Sequence, residues 1–290
     1  MHIRDNTYAY STLSENLTVE GFILIAQIAN KFSCIYGFDI QLNDLKEHGV
    51  KIAEVIAQSK SIQHFDISRN YLGEHGVKVA ELTAQSKSIQ SFDISHNNIR
   101  EHGVKVAELI AQSKSIQSFD ISYNDLGEHG VKVTEVIAQS KSIQHFNIGR
   151  NNLKEHGVKV AETIAQSKSI KSFNISNNGF EAHGVEVAEA IVLSKSIGSI
   201  DISGLDYRVD RTKVAEIIVK STLFNSIHSI KFGSLSSSLK EVIQLLQNER
   251  NAQAKIELLE IKNSLSPLVA QDEVIKLTGE YYITESLSIE

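Results

Sequence analysis

The amino-acid sequence predicts an α/β fold: an open, curved solenoid with a parallel sheet on its concave side and helices on its convex side. Three observations lead there. First, Ile35, Ile62, Ile89, Ile116, Ile143, Ile170 and Ile197 recur every 27 residues, and a fixed period of that size marks a stack of structural units. Second, each unit changes its hydrophobic period half-way, from alternation to a helical stripe. Third, 27 residues are too few to bury a core alone. Copies must therefore stack, each strand pairing in parallel with the next at about 4.8 Å.

Taken in chain order, residues 1–34 read as an N-terminal capping segment. Leu17, Gly21, Ile28 and Ala29 sit 28 residues before Leu45, Gly49, Ile56 and Ala57, one residue off the period. A degenerate repeat is expected at an end, where one face meets solvent. Residues 35–196 hold six regular repeats. In the first half of one, Ile62, Phe65, Ile67, Asn70 and Leu72 spell I-x-x-F-x-I-x-x-N-x-L, and Phe65 and Ile67 alternate with His64, Asp66 and Ser68. That alternation marks a half-exposed strand. In the second half, Gly76, Val79, Ala80 and Thr83 fall at i, i+3, i+4 and i+7, the apolar stripe of a short helix. The copies starting at Ile89 and Ile116 match at 21 of 27 positions.

Regularity loosens after Ile197. Leu205 stands where Asn is due, Arg211 where Gly is due, and the next strand start, Ile227, comes 30 residues on. Residues 197–290 read as divergent repeats and a C-terminal cap. Strands are expected at Ile227–Phe232 and Ile256–Ile261, helices near Leu239–Gln247 and Leu268–Thr278, and a closing edge strand in YYITESLSIE.

The I-x-x-F-x-I-x-x-N-x-L segments resemble leucine-rich repeats. The helix with its early glycine is similar to the ribonuclease-inhibitor-like subclass, found also in NOD-like receptors, Ran GTPase-activating proteins and effectors of intracellular bacteria. The resemblance is strong over residues 35–196 and weak over most of the remainder. Two departures are Phe for Leu at the second strand position and a slightly short period. The resemblance implies a leucine-rich repeat horseshoe and says little about function. It also implies that Asn43, Asn70, Asn97, Asn124, Asn151 and Asn178 point inward and bond backbone groups of neighbouring turns, since buried polar groups need partners. The glycines from Gly49 to Gly184 are read as letting the backbone turn into the helix and pack closely. The column Phe38, Phe65, Phe92, Phe119, Phe146 and Phe173 is read as a core spine.

Composition narrows the function classes. The chain has 290 residues, 41% hydrophobic, with 29 basic against 35 acidic side chains for a net charge of −6. That balance disfavours binding to a phosphate backbone through net charge, so no nucleic-acid partner is expected. The longest apolar run, Gly21 to Ala29, is too short to span a bilayer, and no secretory signal is visible. No membrane partner is expected, and a monomer in the cytoplasm is, or a chain passed into a host cell by a non-classical route. The single cysteine, Cys34, excludes an internal disulfide, points to a reducing compartment and reads as a small, partly packed side chain.

No catalytic set emerges, and no cofactor or metal is expected. His64, Asp66 and Ser68 share a strand face, but residues i and i+2 stand roughly 7 Å apart, too far for a linked triad. His48, His75, His102, His129, His156 and His183 form a column of turn residues. Close stacking of that column would set like charges against one another on protonation. Glu74/Lys78 at i, i+4 and Lys78/Glu81 at i, i+3 read as helix-supporting pairs. The column Lys60, Lys87, Lys114, Lys141 and Lys168 lacks interleaved aromatics to stack bases.

The concave strand face carries the functional expectation. Asp39, Asp66, Asp93, Asp120 and Asp201 run along its centre, with Asn147 and Asn174 between. The position three residues on varies sharply among near-identical copies, through Arg69, His96, Tyr123, Arg150 and Asn177. Its neighbour two residues further reads Tyr71, Asn98, Asp125, Asn152 and Gly179. The candidate partner-binding set is His64, Asp66, Arg69, Tyr71, Asp93, His96, Asp120, Tyr123, Asp125, His145 and Arg150. The partner expected is a protein with a basic patch. The Ile-, Lys-, Asn- and Ser-rich composition and recent duplications look bacterial, which with the family suggests a host-directed effector. The alternative is a regulator of a small GTPase, as in the Ran GTPase-activating relatives, although no residue set carries over from their active site.

Overall fold

The structure is a computed structural model and describes residues 2–4, 7–9, 18–180, 182–205, 213, 214, 217 and 229–231. Its strands are β1 His2–Arg4, β2 Thr7–Ala9, β3 Gly37–Asp39, β4 His64–Asp66, β5 Ser91–Asp93, β6 Ser118–Asp120, β7 His145–Asn147, β8 Ser172–Asn174, β9 Ser199–Asp201 and β10 Ser229–Lys231. The helices are α1 Val19–Ala29, α2 Gly49–Ile56, α3 Gly76–Gln85, α4 Gly103–Ile110, α5 His129–Ile137, α6 His156–Ala165 and α7 Gly184–Ile191. The strands form one sheet in chain order. Among the described residues, only the β1–β2 pair is antiparallel. From β3 to β9 each residue pairs with its equivalent 27 positions on, as Phe65 with Phe92 and Phe92 with Phe119. The architecture is an open α/β repeat solenoid. A helix is about 10 Å across while paired strands sit about 4.8 Å apart, so the helix side takes the outer, longer arc.

Three ladders hold the stack. The first is apolar: the rings of Phe65, Phe92, Phe119, Phe146 and Phe173 lie between 5.9 and 6.2 Å from one repeat to the next. The second is the asparagine column, fully buried from Asn70 to Asn178. Asn124 Oδ1 accepts the backbone N–H of Asn97 at 2.9 Å and of Ile99 at 3.2 Å. Its Nδ2 donates to the carbonyls of Ile94, Ile121 and Ser122, each at 3.1 Å. The ladder stops at Leu205, whose side chain has no acceptor. The third ladder is serine, and sequence reasoning missed it. In each S-K-S, the first serine is buried and its Oγ accepts the N–H of the following Ile, as Ser86 does from Ile89 at 3.3 Å. The second donates to the carbonyl one repeat back, as Ser115 does to Ser86 and Ser142 to Ser113.

Four expectations change. The cap helix keeps the period of 27, not 28: Phe22, Ala26 and Ala29 are buried, equivalent to Gly49, Ala53 and Ile56, while Ile28 is 44% exposed. The core-facing side, not letter identity, sets the register. The glycine column is helical, with φ of −55° at Gly49 and Gly76, so it serves close approach rather than the turn. A Cβ at Gly49 would stand 2.6 Å from Leu72 Cδ2, and at Gly157 it would strike the Phe180 ring. Cys34 is exposed rather than partly packed. Lys78 pairs with Glu81 at 3.0 Å rather than with Glu74, which lies in a 3₁₀ turn ahead of α3.

β10 falls inside the expected Ile227–Phe232 strand. Arg211, the strand at Ile256–Ile261, the helices near Leu239–Gln247 and Leu268–Thr278, and the closing edge strand lie outside the described residues.

Candidate functional site

The sheet face is built on strand ends closed by side chains. Asp66, Asp93 and Asp120 stand in register on β4, β5 and β6. Each folds one carboxylate oxygen back onto the backbone N–H two residues on, at 2.8–2.9 Å. Asn147 and Asn174 make the same bond to Gly149 and Ser176. The Asp/Asn alternation in the column therefore preserves an acceptor oxygen. Asp120 also accepts from Asn147 Nδ2 at 2.6 Å.

The row is less negative than its residue types imply. Asp93 is pushed up to about 7 by burial first, then by the neighbouring Asp120 and Asp66. Burial likewise raises Asp66 and Asp120. A raised folded pKa means the folded state binds the proton more tightly than the unfolded one. The resulting stability is full below about pH 4 and lost as pH rises through about 7. Asp93→Asn keeps the acceptor for Ser95, as Asn147 does in its own repeat, and removes the titration. At pH 8 it is expected to stabilise the fold by on the order of 2 kcal/mol, allowing for partial contact with water. At pH 4 the gain should vanish. Denaturation midpoints for both chains at both pH values check this; equal differences would refute it.

Beyond the strands the backbone turns left-handed. Arg69, His96, Tyr123, Arg150 and Asn177 have φ between +54° and +59°, and Tyr71, Asn98, Asp125 and Asn152 between +53° and +58°. This region disfavours residues with a Cβ. Hydrogen bonds to the next turn hold it: Arg69 N–H reaches the Ser95 carbonyl at 3.0 Å and Tyr123 N–H that of Gly149 at 3.1 Å. The repeat stacking brings three of the variable side chains together. His96 and Tyr123 stack with ring centroids 3.5 Å apart, and the Arg150 guanidinium lies 4.8 Å from the Tyr123 centroid. Burial, then Arg69 and Arg150, holds the His96 imidazole below its usual value, which favours its uncharged form. The left-handed geometry has no signal at Arg69, Tyr123 and Arg150, whereas Asn98, Asp125, Asn152 and Gly179 in the second column are residue types that favour it.

Other members of the expected set stay apart. His64 and His145 are exposed at the starts of β4 and β7, with Ser91 and Ser118 between them. Tyr71, 67% exposed, and Asp125 stand two repeats apart on the outer column.

No protein-family model matches the chain, and no curated protein matches its sequence.

The remaining candidates resolve simply. Among the described residues, no three His, Cys, Asp or Glu side chains converge to hold a metal ion, and no helix is long and apolar enough to cross a membrane. The histidine column is interleaved with carboxylates rather than stacked on itself. His48 lies 3.6 Å from Glu47, and His102 and His156 lie 3.8 Å from Glu101 and Glu155. These exposed carboxyls are held below the usual range by their own backbone N–H first, then by the histidines.

Proposed function

We propose that the chain is a non-catalytic binding scaffold that takes a protein partner on its sheet face, and that it is a leucine-rich repeat protein of the ribonuclease-inhibitor-like subclass. One observation carries the binding reading. Arg69, His96, Tyr123 and Arg150 keep side chains at left-handed positions where glycine would be less strained. They also differ from copy to copy while the surrounding repeat hardly changes. Tyr and Arg anchor many protein interfaces, and Tyr123 already sits between His96 and Arg150 at small loss of rotamer freedom.

The aspartate row beside them suits a basic patch on the partner. Ionisation of Asp93 through about pH 7 makes that attraction stronger at pH 8 than at pH 6. Duplicated repeats and composition favour a bacterial origin and a partner in a host cell.

The test is capture from host-cell lysate by the native chain, followed by calorimetry with the protein captured. Tyr123→Ala is expected to weaken binding by about 1–2 kcal/mol or more, while Lys132→Ala on the helix side leaves it unchanged. Loss on Lys132→Ala with Tyr123→Ala neutral would place the interface on the helices instead.

A further inference from the structure

Away from the sheet face, the edge where each helix leads into the next strand carries an arrangement the binding reading does not use. The motif there is Q-S-K-S. The two serines are tied down: Ser86 and Ser113 are buried, and Ser88 and Ser115 each bond the carbonyl one repeat back at 2.8 Å. The lysine between them has no inward direction left. Lys60, Lys87, Lys114, Lys141, Lys168 and Lys195 are accordingly all exposed, at one equivalent point of each successive repeat.

These lysines differ from the second lysine column. On the helices, Lys78, Lys105, Lys132 and Lys159 are each paired with a glutamate three residues on, at 3.0–3.2 Å. No lysine of the edge makes an ion pair among the described residues. The grooves between them are lined by neutral Gln, Ser and Ala, as between Lys60 and Lys87. Glu108, which lines a neighbouring groove, is engaged by Lys105. The edge is thus a line of uncompensated positive charge on a chain whose net charge is −6.

Its two ends are apolar. Phe32 occupies the place of the first serine, as its carbonyl shows by accepting from Ser61 Oγ, and it is 51% exposed. Tyr36, at the place of Gln63, is 40% exposed. At the far end Leu193 replaces the glutamine of the motif and is 73% exposed. Along the described part of this edge, the exposed large apolar and aromatic side chains, Phe32, Tyr36 and Leu193, stand at its two ends.

We propose that this edge docks the protein onto an anionic lipid bilayer, the lysines meeting headgroups and Phe32, Tyr36 and Leu193 entering the interface. Lysines on flexible stems suit a diffuse surface charge, whereas a nucleic-acid strand would call for aromatics along the line rather than at its ends. Peripheral attachment needs both signals, since neither a modest apolar area nor a few charges suffices alone. The charge acts locally because the acidic groups elsewhere are screened beyond about 8 Å at physiological salt.

The experiment is sedimentation of the full chain with vesicles of phosphatidylcholine alone and with about a third phosphatidylserine. Binding to the second and not the first is expected. Lys114→Gln/Lys141→Gln should weaken it roughly 25-fold, at about fivefold per lysine. Lys105→Gln/Lys132→Gln, which changes net charge equally on the helix side, should leave it within about twofold. Leu193→Ser should weaken the binding that survives high salt. Circular dichroism of each variant establishes that it is folded. Absence of binding to the anionic vesicles, equal loss in both lysine pairs, or binding to a single-stranded oligonucleotide in preference to the vesicles would overturn the proposal.

Discussion

Asn124→Ala is expected to lower the stability of the fold by about 2–6 kcal/mol, because two buried backbone donors lose their only acceptor at about 1–3 kcal/mol each. Those donors are the N–H groups of Asn97 and Ile99, which both point at Asn124 Oδ1. Three carbonyls lose the Nδ2 donor as well, and no water reaches a side chain with 0% exposure. The position is central, so the substitution also cuts the coupling between the repeats on either side. In a solenoid whose stability resides in nearest-neighbour interfaces, one transition then tends to split into two. Chemical denaturation followed by circular dichroism measures both effects. A midpoint and slope unchanged from the native chain would show that the ladder does not hold the turns.

The second large effect is Phe119→Ala, with an expected loss of about 3–5 kcal/mol. The ring is 1% exposed and lies between Phe92 and Phe146, with centroids 6.2 and 6.1 Å away. Truncation leaves a cavity that the paired strands cannot close, because β5, β6 and β7 are held in register by their own hydrogen bonds. Phe119→Leu, the side chain that the repeat resemblance places at this position, fills most of the space and should cost less than about 1.5 kcal/mol. The ordering of the two variants is the sharper check. If leucine is as damaging as alanine, ring stacking outweighs volume; if neither matters, the column is not the core.

Much of this fold is written in the 27-residue period. The period places Phe65, Phe92 and Phe119 opposite one another, because parallel strands of identical units have no reason to slip. A shift by one residue would turn every phenylalanine to the solvent face. The asparagine column was legible for the same reason, with the resemblance supplying its direction. The aspartate row was legible as a row, since residues one period apart must be neighbours on the sheet.

What one-dimensional pattern could not carry is where each backbone atom finds its partner and how much water reaches each charge. The left-handed turns at Arg69, His96 and Tyr123 have no local signal, and exist because their N–H groups donate to the carbonyls of the next turn. The glycine column was read as serving both a turn and close packing, and only the second holds: it is a gap for the following repeat's Leu, Ile or Phe. The aspartates looked like fixed charge, yet burial and mutual repulsion raise them toward neutrality. The stacked cluster of His96, Tyr123 and Arg150, and the lysine edge ending in Phe32 and Leu193, depend on side chains 27 residues or more apart. The sequence by itself determined the repeat, the strand and helix faces and the core columns, because these follow from periodicity. Only the tertiary structure decided which glycines bend, which carboxyls ionise and which lysines stay unpaired, because those depend on packing, solvent exclusion and distance across the stack.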